Sequence, residues 1–389
     1  MNDRPRNGFV AVSVVATVVF LAISRLQSSV YNNDVLLASA FAHGRAWIDW
    51  PGAYIDAVLY HGRHYVIEGP VPALLLLPSV LVWGTKANQT TLACLSAGVA
   101  VGAAWLVARR AGATNARALA IAAFFAFGTS LAWCAMYGAV WFVAHTVAAM
   151  FATLAVAETL GRRRLWLVTL LLVLAAGSRS TLALAIVPLG TYAFVSLPRA
   201  ERRTELAKLA AVVVPAAVAY VAYDEARWGT PNDPGYLLWY HADQMGETTG
   251  SPFRLSYLSY ELDAFFKAIP QWTGAYPWFK IDYSAVAIEI TSPALALAAF
   301  ARGERRLVAA LVAAIVLEIV PSLLYYADGG IQFGMRHALD FEPFVLPLLA
   351  LASRRMPAWV TFALCLLSVA VGIWGLWYWR TFYDALLVH

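Results

Sequence analysis

Ionisable side chains that interrupt long apolar runs are the first residues in this sequence that could take part in chemistry. Arg179 stands in the middle of the apolar run 165–195, within the sequence GSRS. A cation within hydrocarbon is costly unless it faces water, an anion or a partner carboxylate. Arg179 therefore predicts a hydrated or anion-filled cavity, with pairing to Glu289 or Glu318 as the structural alternative.

Other polar side chains gather toward the same side of the predicted spans as Arg179. His145 and Glu318 lie toward that side of their apolar runs, and Arg336 and His337 lie in a short loop beyond one of these runs. As structural alternatives, His145 could be a hydrogen-bonded packing residue and Arg336 an interfacial anchor. Polar groups on one side indicate a cavity open to that side rather than a pathway across the membrane.

Asp34 lies in the stretch 25–84, which separates the first apolar run from the rest of the chain. It opens a short segment with apolar residues at positions 35, 36, 37, 40 and 41, and this spacing predicts an amphipathic helix lying on a membrane surface. Asp is also a common N-cap residue. Asp34 is thus either a functional carboxylate over the cavity or the cap of this helix.

The same stretch contains His61, His64 and Glu68, whose spacing could bind a metal ion if the segment were helical. Gly62 and the surrounding aromatic residues instead indicate a loop or a strand. The sequence predicts no metal site and no certain cofactor here, and a divalent metal ion is only weakly supported.

Composition places the chain among polytopic membrane proteins. Of its 389 residues 61% are hydrophobic and 13% are charged, whereas soluble domains carry roughly 25% charged residues. The formal net charge is +5, but the basic residues cluster between apolar runs, so topology explains them and no nucleic-acid partner is expected. Cys94, Cys134 and Cys365 lie within apolar runs, which predicts neither a disulfide nor a zinc site.

The apolar runs predict an all-α bundle of about eleven transmembrane helices. The first run lacks a small-residue cleavage site, so it is interpreted as a retained helix rather than a signal peptide. Basic clusters alternate with the runs and place the N-terminus and these clusters in the cytoplasm. The predicted crossings are 9–24, 90–108, 118–133, 140–158, 165–195 (twice), 206–223, 285–301, 307–326, 341–352 and 359–379.

This topology gives two long external loops. The apolar run 71–84 is short and contains Pro72 and Pro78, and a crossing there would move every later basic cluster to the other side. It is therefore interpreted as a re-entrant or surface-lying helix within one external loop, 25–89. The second loop, 224–283, is rich in Trp and Tyr and predicts either an interfacial belt or a stacking surface for a ring-shaped ligand.

The run 165–195 must cross twice because both of its flanks are cytoplasmic. Its 31 residues allow only about 23 Å for each crossing at about 1.5 Å per residue. The turn that carries Arg179 must therefore lie below the outer membrane surface.

Several segments resemble the bacterial branch of the GT-C glycosyltransferases, which use polyprenyl-phosphate sugars and include protein O-mannosyltransferases and aminoarabinose transferases. The matches occur in order along most of the chain. They are 31–34 (YNND), 62–65 (GRHY) and 69–74 (GPVPAL) in the first external loop, 141–145 at a helix start, 223–236 (YDEARWGTPNDPGY) and 333–337 (FGMRH).

The resemblance implies a single GT-C-like domain over 1–389 that transfers a sugar to a glycan, lipid or protein acceptor on the outer face of a bacterial inner membrane. Asp34 is then the candidate general base, and Arg336 and Arg179 are candidates to bind the donor phosphate. The candidate substrate-binding residues are Tyr65, Glu68, His145 and His337. The family often has two adjacent acids where this chain has Asn33 and Asp34, and this difference argues against a metal ion there.

Two other functions remain open at the level of sequence. A multi-pass lipid or polysaccharide transporter or flippase would also be an apolar helical bundle, although no half-to-half repeat is evident. A non-catalytic assembly subunit with a GT-C-like fold would keep the architecture and lose the chemistry.

Overall fold

The structure is a computed structural model and describes residues 4–49, 56–243 and 248–387. It confirms the all-α membrane architecture, with two small β-hairpins in the connecting segments. The helices are α1 (Arg4–Ser24), α2 (Asn33–Ala42), α3 (Val71–Trp83), α4 (Gln89–Arg110), α5 (Asn115–Phe127), α6 (Leu131–Tyr137), α7 (Val140–Thr159), α8 (Leu165–Ala176), α9 (Ile186–Val195), α10 (Arg202–Trp228), α11 (Gly235–Ala242), α12 (Leu258–Phe266), α13 (Ile288–Thr291), α14 (Arg305–Leu323), α15 (Glu342–Ser353) and α16 (Ala358–Phe382).

Within the described residues, six helices are long and apolar enough to cross a membrane: α1, α4, α7, α10, α14 and α16. The helices α5 and α6 form a bent pair, with 48° between their axes, that would add a seventh span. Shorter apolar helices, including α8, α9 and α15, complete the bundle. The figure of about eleven crossings stays a prediction, because these helices do not meet the length of a regular span.

The centre of the bundle is formed by α4 and α7, and α1 packs against α4 from the outside, with small residues at the contact between α1 and α4. A Cβ atom added at Gly98 of α4 would lie 1.9 Å from Thr17 Oγ1 of α1, so a larger residue at position 98 would prevent the close approach of these two helices. Ser96 Oγ of α4 donates a hydrogen bond of 3.0 Å to Thr146 Oγ1 of α7. This polar contact holds the two central helices together where no water competes.

The helix α2 differs from its prediction. Most of its side chains are buried, including Asp34, Val35 and Leu37, so it does not lie on a membrane surface. The helix α3 packs against it, and the Phe41 ring lies 5.9 Å from that of Tyr223 in α10. The N-cap residue is Asn32, and Asp34 lies in the first turn. The interpretation of Asp34 as the helix cap is therefore wrong.

The segment with His61 and His64 forms the antiparallel strands β1 (Ala57–Tyr60) and β2 (Arg63–Val66). His61 and Gly62 form the turn between them with φ of 48° and 76°. Positive φ at both central residues is what a tight two-residue hairpin turn requires. The helical spacing needed for a metal site is therefore absent from this segment, and the pairing of Ala57 with Val66 sets Asp56 close to Glu68.

The segment 165–195 folds as the short helices α8 and α9, joined by a 3₁₀ turn at Ser180–Ala183. The 12 residues of α8 span about 18 Å at 1.5 Å per residue. The first external loop lies directly on this turn, since the Val71 amide donates to the Gly177 carbonyl at 3.0 Å. Arg179 thus lies beneath the loop that carries Glu68.

The segment 285–301, predicted as one transmembrane helix, is not a regular helix. It consists of the one-turn helix α13 and a 3₁₀ helix, Pro293–Phe300. Pro293 lacks an amide hydrogen and favours a break at the preceding residue. Hydrogen bonds to neighbouring helices stabilise the irregular segment. Ser292 Oγ donates to the Gly128 carbonyl at 2.7 Å, and Ser368 Oγ of α16 accepts from the Ala294 amide at 3.2 Å.

Candidate functional site

A cavity of about 340 Å³ lies at the end of the bundle where the first external loop covers the turn between α8 and α9. Its walls come from residues 67–70, the turn 178–181, the C-terminal part of α10, the helix α11 and the segments 321–325 and 336–337. Three arginines, Arg179, Arg227 and Arg336, and three acids, Asp56, Glu68 and Asp233, line this cavity. Charges of both signs therefore face one cavity.

Arg179 is held by Asp340, which lies just before α15. The Arg179 Nη2 and Asp340 Oδ2 atoms are 2.7 Å apart, and Arg179 Nε lies 3.3 Å from each carboxylate oxygen. The second partner of Asp340 is His145, whose Nδ1 lies 3.1 Å from Oδ1. Burial would raise the pKa of Asp340, but the Arg179 guanidinium and His145 hold it well below its ordinary value. The ionised carboxylate thus fixes the orientation of Arg179.

Arg336 has no such carboxylate partner among the described residues. Its Nε and Nη1 atoms are buried and have no hydrogen-bond partner in the part of the chain that the structure describes. The guanidinium lies over the rings of Trp141 and Phe142, 5.6 and 5.5 Å from their centroids. Burial and the charge of Arg179 lower the pKa of Arg336, although a guanidinium stays protonated at neutral pH. A buried cation with free donors is a ready site for an anion.

Asp56 and Glu68 lie on the cavity wall as a pair of neighbouring acids. Burial raises the pKa of Asp56 to about 6, against the opposing effect of Arg336. The pKa of Glu68 is raised further above its ordinary value by burial and by the charges of Asp56 and Asp34. Asp56 also adopts a φ of 61°, which is uncommon for a residue other than glycine. At neutral pH the pair can hold one proton between them, with Asp56 as the more readily ionised member.

Asp34 lies behind this pair rather than on the cavity surface. It is fully buried, and among the described residues neither carboxylate oxygen has a hydrogen-bond partner. Burial raises its pKa to about 8. Asp34 is therefore mostly protonated at neutral pH.

The structure brings four of the seven predicted site residues to the cavity wall: Arg179, Arg336, Glu68 and His337. The other three, Asp34, Tyr65 and His145, lie behind it among the described residues. Tyr65 packs its ring 5.0 Å from that of Trp228. Burial, Arg179 and Arg336 lower the pKa of His337 well below its ordinary value, so this imidazole is neutral at neutral pH. No group of three His, Cys, Asp or Glu side chains in the described ranges is arranged to hold a metal ion.

One solved structure has the same architecture. It is the crystal structure of ArnT from Cupriavidus metallidurans bound to undecaprenyl phosphate, with a TM-score of 0.51 and 15% sequence identity. The match covers 93% of this chain and 62% of ArnT. This chain has a GT-C-like fold. This chain thus corresponds to less than two thirds of the length of ArnT. No family model matches the sequence, and no curated protein does.

Three residues at or next to the cavity were missed from the sequence. Asp340 adjoins a predicted span, yet only glutamates were considered as partners of Arg179. Asp56 carries no pattern that would single it out. Arg227 lies in the segment 223–236 that carried the family resemblance, which was a usable signal.

Arg227 connects α10 to the acid pair. Its Nη1 donates to the Val66 carbonyl at 3.2 Å, and its Nη2 lies 2.7 Å from Asp224 Oδ1 and 2.9 Å from Asp233 Oδ2. Val66 ends β2, only two residues before Glu68. This buried network therefore fixes the strand end from which Glu68 reaches the cavity.

Proposed function

We propose that this protein transfers a sugar from a polyprenyl-phosphate donor to an acceptor on the outer face of a bacterial inner membrane. The observation that carries the proposal is the Arg336 guanidinium, which is buried, lacks hydrogen-bond partners at two nitrogens and faces an acid pair across one cavity. The fold gives further support, since ArnT, which has the same architecture, was crystallised with undecaprenyl phosphate.

The donor phosphate would lie between Arg336 and Arg179. Two guanidinium groups that face one cavity repel each other, and the charge of Arg179 lowers the pKa of Arg336. An anion between them removes this repulsion. Because Asp340 already fixes Arg179, little side-chain freedom is lost when the phosphate binds. Two oriented guanidinium groups also stabilise the charge that grows on the phosphate as it leaves.

The acid pair would accept the proton of the acceptor hydroxyl. An oxygen–carbon bond forms to the anomeric carbon as the bond from that carbon to the phosphate oxygen breaks. The hydroxyl proton passes to Asp56, and the polyprenyl phosphate leaves as an anion bound to the arginines. We assign the base to Asp56, supported by Glu68, rather than to Asp34, because a base must be ionised and must reach the cavity. Asp34 lies behind the pair as a buried, protonated carboxyl.

The remaining predicted residues have supporting roles in this proposal. His145 orients Asp340 and through it Arg179, while Tyr65 packs against Trp228 at the end of α10. His337 lies on the cavity wall as a neutral hydrogen-bonding group, suited to a sugar hydroxyl. The acceptor is a glycan, a lipid or a protein.

A reconstituted transfer assay tests the proposal. Purified protein in liposomes is given polyprenyl-phosphate sugars with a labelled sugar, together with membrane extract as the acceptor source, and release of free polyprenyl phosphate is measured. We expect release that is lost in Asp56→Asn and kept in the exposed control Asp49→Asn. Movement of an intact fluorescent donor between leaflets without cleavage would instead indicate a flippase and overturn the proposal.

A further inference from the structure

A second feature of the chain has no part in the proposed reaction. The strands β3 (Gln271–Trp272) and β4 (Phe279–Lys280) form a small antiparallel hairpin between α12 and α13. Its aromatic side chains are unusually exposed, at 65% for Trp272, 63% for Tyr276 and 49% for Trp278. Water alone is a poor environment for so many large apolar rings in one short segment, which indicates a partner surface.

The aromatic side chains of the hairpin form one connected surface. The rings of Trp272 and Trp278 are stacked, with centroids 5.8 Å apart and 19° between their planes. Phe279 adds an edge contact to Trp272 at 5.2 Å. Lys280 ends the second strand and is exposed, so the apolar surface has a cation at its margin. Aromatic rings beside a basic side chain are typical of the boundary between hydrocarbon and lipid head groups.

This surface continues directly into the apolar side of a predicted membrane span. The Tyr276 ring lies 6.3 Å from the rings of Trp377 and Phe382, at the C-terminal end of α16. Apolar side chains along α16, such as Leu366 and Ile373, are themselves exposed, as expected for a helix that faces lipid. The hairpin is therefore adjacent to the lipid boundary of the bundle.

The hairpin is attached to the bundle at its base. Tyr383 Oη donates to the carbonyl of Ile281 at 3.0 Å, and Ile281 itself is buried. On the other side of the hairpin, the Ala287 amide donates to the Ala268 carbonyl at 2.9 Å. The aromatic surface is thus held in a fixed position beside α16.

The β3–β4 hairpin lies at the same end of the bundle as the cavity. Arg380 of α16 donates to the Ile23 carbonyl near the end of α1, immediately before the first external loop. The hairpin and the Arg179 turn are therefore on the same side of the membrane.

We propose that the β3–β4 hairpin is a membrane-docking element, which inserts its aromatic rings into the head-group region of the lipid bilayer beside α16. The partner is the lipid surface, with Trp272, Tyr276 and Trp278 at the boundary and Lys280 toward the phosphates. The docked hairpin fixes the height of the second external loop relative to the bilayer, and this loop supplies α11 to the cavity wall.

Spin labelling in lipid nanodiscs tests the docking. Ala275 lies at the tip of the hairpin, is exposed and offers only backbone groups to its neighbours, so Ala275→Cys leaves the turn intact. The native cysteines are buried and do not compete for the label. Thr249→Cys, exposed elsewhere in the same loop, is the matched control. We expect the label at 275 to collide several-fold less with a water-soluble relaxation agent, and more with oxygen, than the label at 249.

The role of the rings is tested by replacing Trp272, Tyr276 and Trp278 with Ser in the Ala275→Cys background. The label at 275 should then become as accessible to the water-soluble agent as the control. Equal accessibility of the two labels without these replacements would overturn the proposal. Spin–spin broadening between labels at 275 would indicate that a second copy of the chain covers the hairpin, and protection that appears only after a soluble glycan is added would assign the rings to sugar stacking. Either result would overturn the lipid assignment. None of these readouts depends on transferase activity.

Discussion

The buried carboxyl of Asp34 should make the stability of the protein depend on pH in a way that one substitution removes. Burial raises its pKa from 3.8 to about 8. Between these two values the folded protein keeps a proton that the unfolded chain releases. The folded state therefore loses stability as pH rises through this interval, and the contribution levels off above the folded pKa.

The size of this loss of stability follows from the difference between the unfolded and folded pKa values of Asp34. Each pH unit between 3.8 and neutral pH costs about 1.4 kcal/mol. The loss by pH 7 is therefore on the order of 4 kcal/mol, and no correction for solvent screening applies because the side chain is fully buried. In Asp34→Asn there is no proton to release, so this part of the dependence should disappear. The amide has its own burial cost of about 1–3 kcal/mol, but that cost does not change with pH.

Thermal unfolding in detergent between pH 4 and pH 8, followed by the fluorescence of the 15 tryptophans, measures the effect. The fall in Tm with rising pH should be smaller in Asp34→Asn than in the wild type, by roughly a few degrees. Asp49→Asn, with an exposed carboxyl in the same loop, is the control and should behave as the wild type does. If Asp34→Asn keeps the full wild-type pH dependence, Asp34 is already ionised at neutral pH. The argument against Asp34 as the general base would then be refuted.

Three further predictions concern the base, the phosphate site and the topology. The transfer rate should rise with pH around a midpoint near 6, because Asp56 must lose its proton to act as base. Asp56→Asn should lose both the rate and this pH dependence. A wild-type pH profile in the variant would exclude Asp56 as the base. Asp340→Asn should lower Tm, because breaking a buried ion pair costs about 3–5 kcal/mol. It should also weaken donor binding, because Arg179 loses the carboxylate that holds it. Unchanged donor binding would mean that Arg179 does not contact the donor. An impermeant thiol reagent added from outside should label Thr249→Cys but not Ala200→Cys. Labelling of Ala200→Cys would reverse the assignment of the cytoplasmic and external sides.

The sequence predicted the membrane class and the gathering of Arg179 and Arg336 at one cavity, because a charge within an apolar run needs a polar environment wherever the run folds. It also predicted that 165–195 is too short for two regular spans, and the structure has the two short helices α8 and α9 there. These inferences depend only on local composition and chain length. Gly246 belongs to the predicted external loop 224–283 and falls outside the described residues, so its external position stays a prediction.

The residues that were missed depend on three-dimensional arrangement. The ion pair of Arg179 with Asp340 joins positions 161 residues apart, and any nearby acid could have served. Asp56 reaches Glu68 only through the register of the β1–β2 hairpin. The spacing of apolar residues in α2 indicated a helix with one apolar side, but it could not show that α3 packs against it and that Tyr223 of α10 contacts Phe41.

The most direct test of the account is the affinity of the purified protein for undecaprenyl phosphate, compared between the wild type, Arg336→Lys and Arg63→Lys. Lys keeps the positive charge of Arg336 but cannot form the paired hydrogen bonds of a guanidinium. Loss of a hydrogen bond to a charged group costs about 1.5–3 kcal/mol, so Arg336→Lys should bind roughly 10- to 100-fold more weakly. Arg63 is exposed on the β1–β2 hairpin, outside the cavity wall, and Arg63→Lys should bind as the wild type does. Wild-type affinity in Arg336→Lys, or no binding by the wild type, would contradict the account.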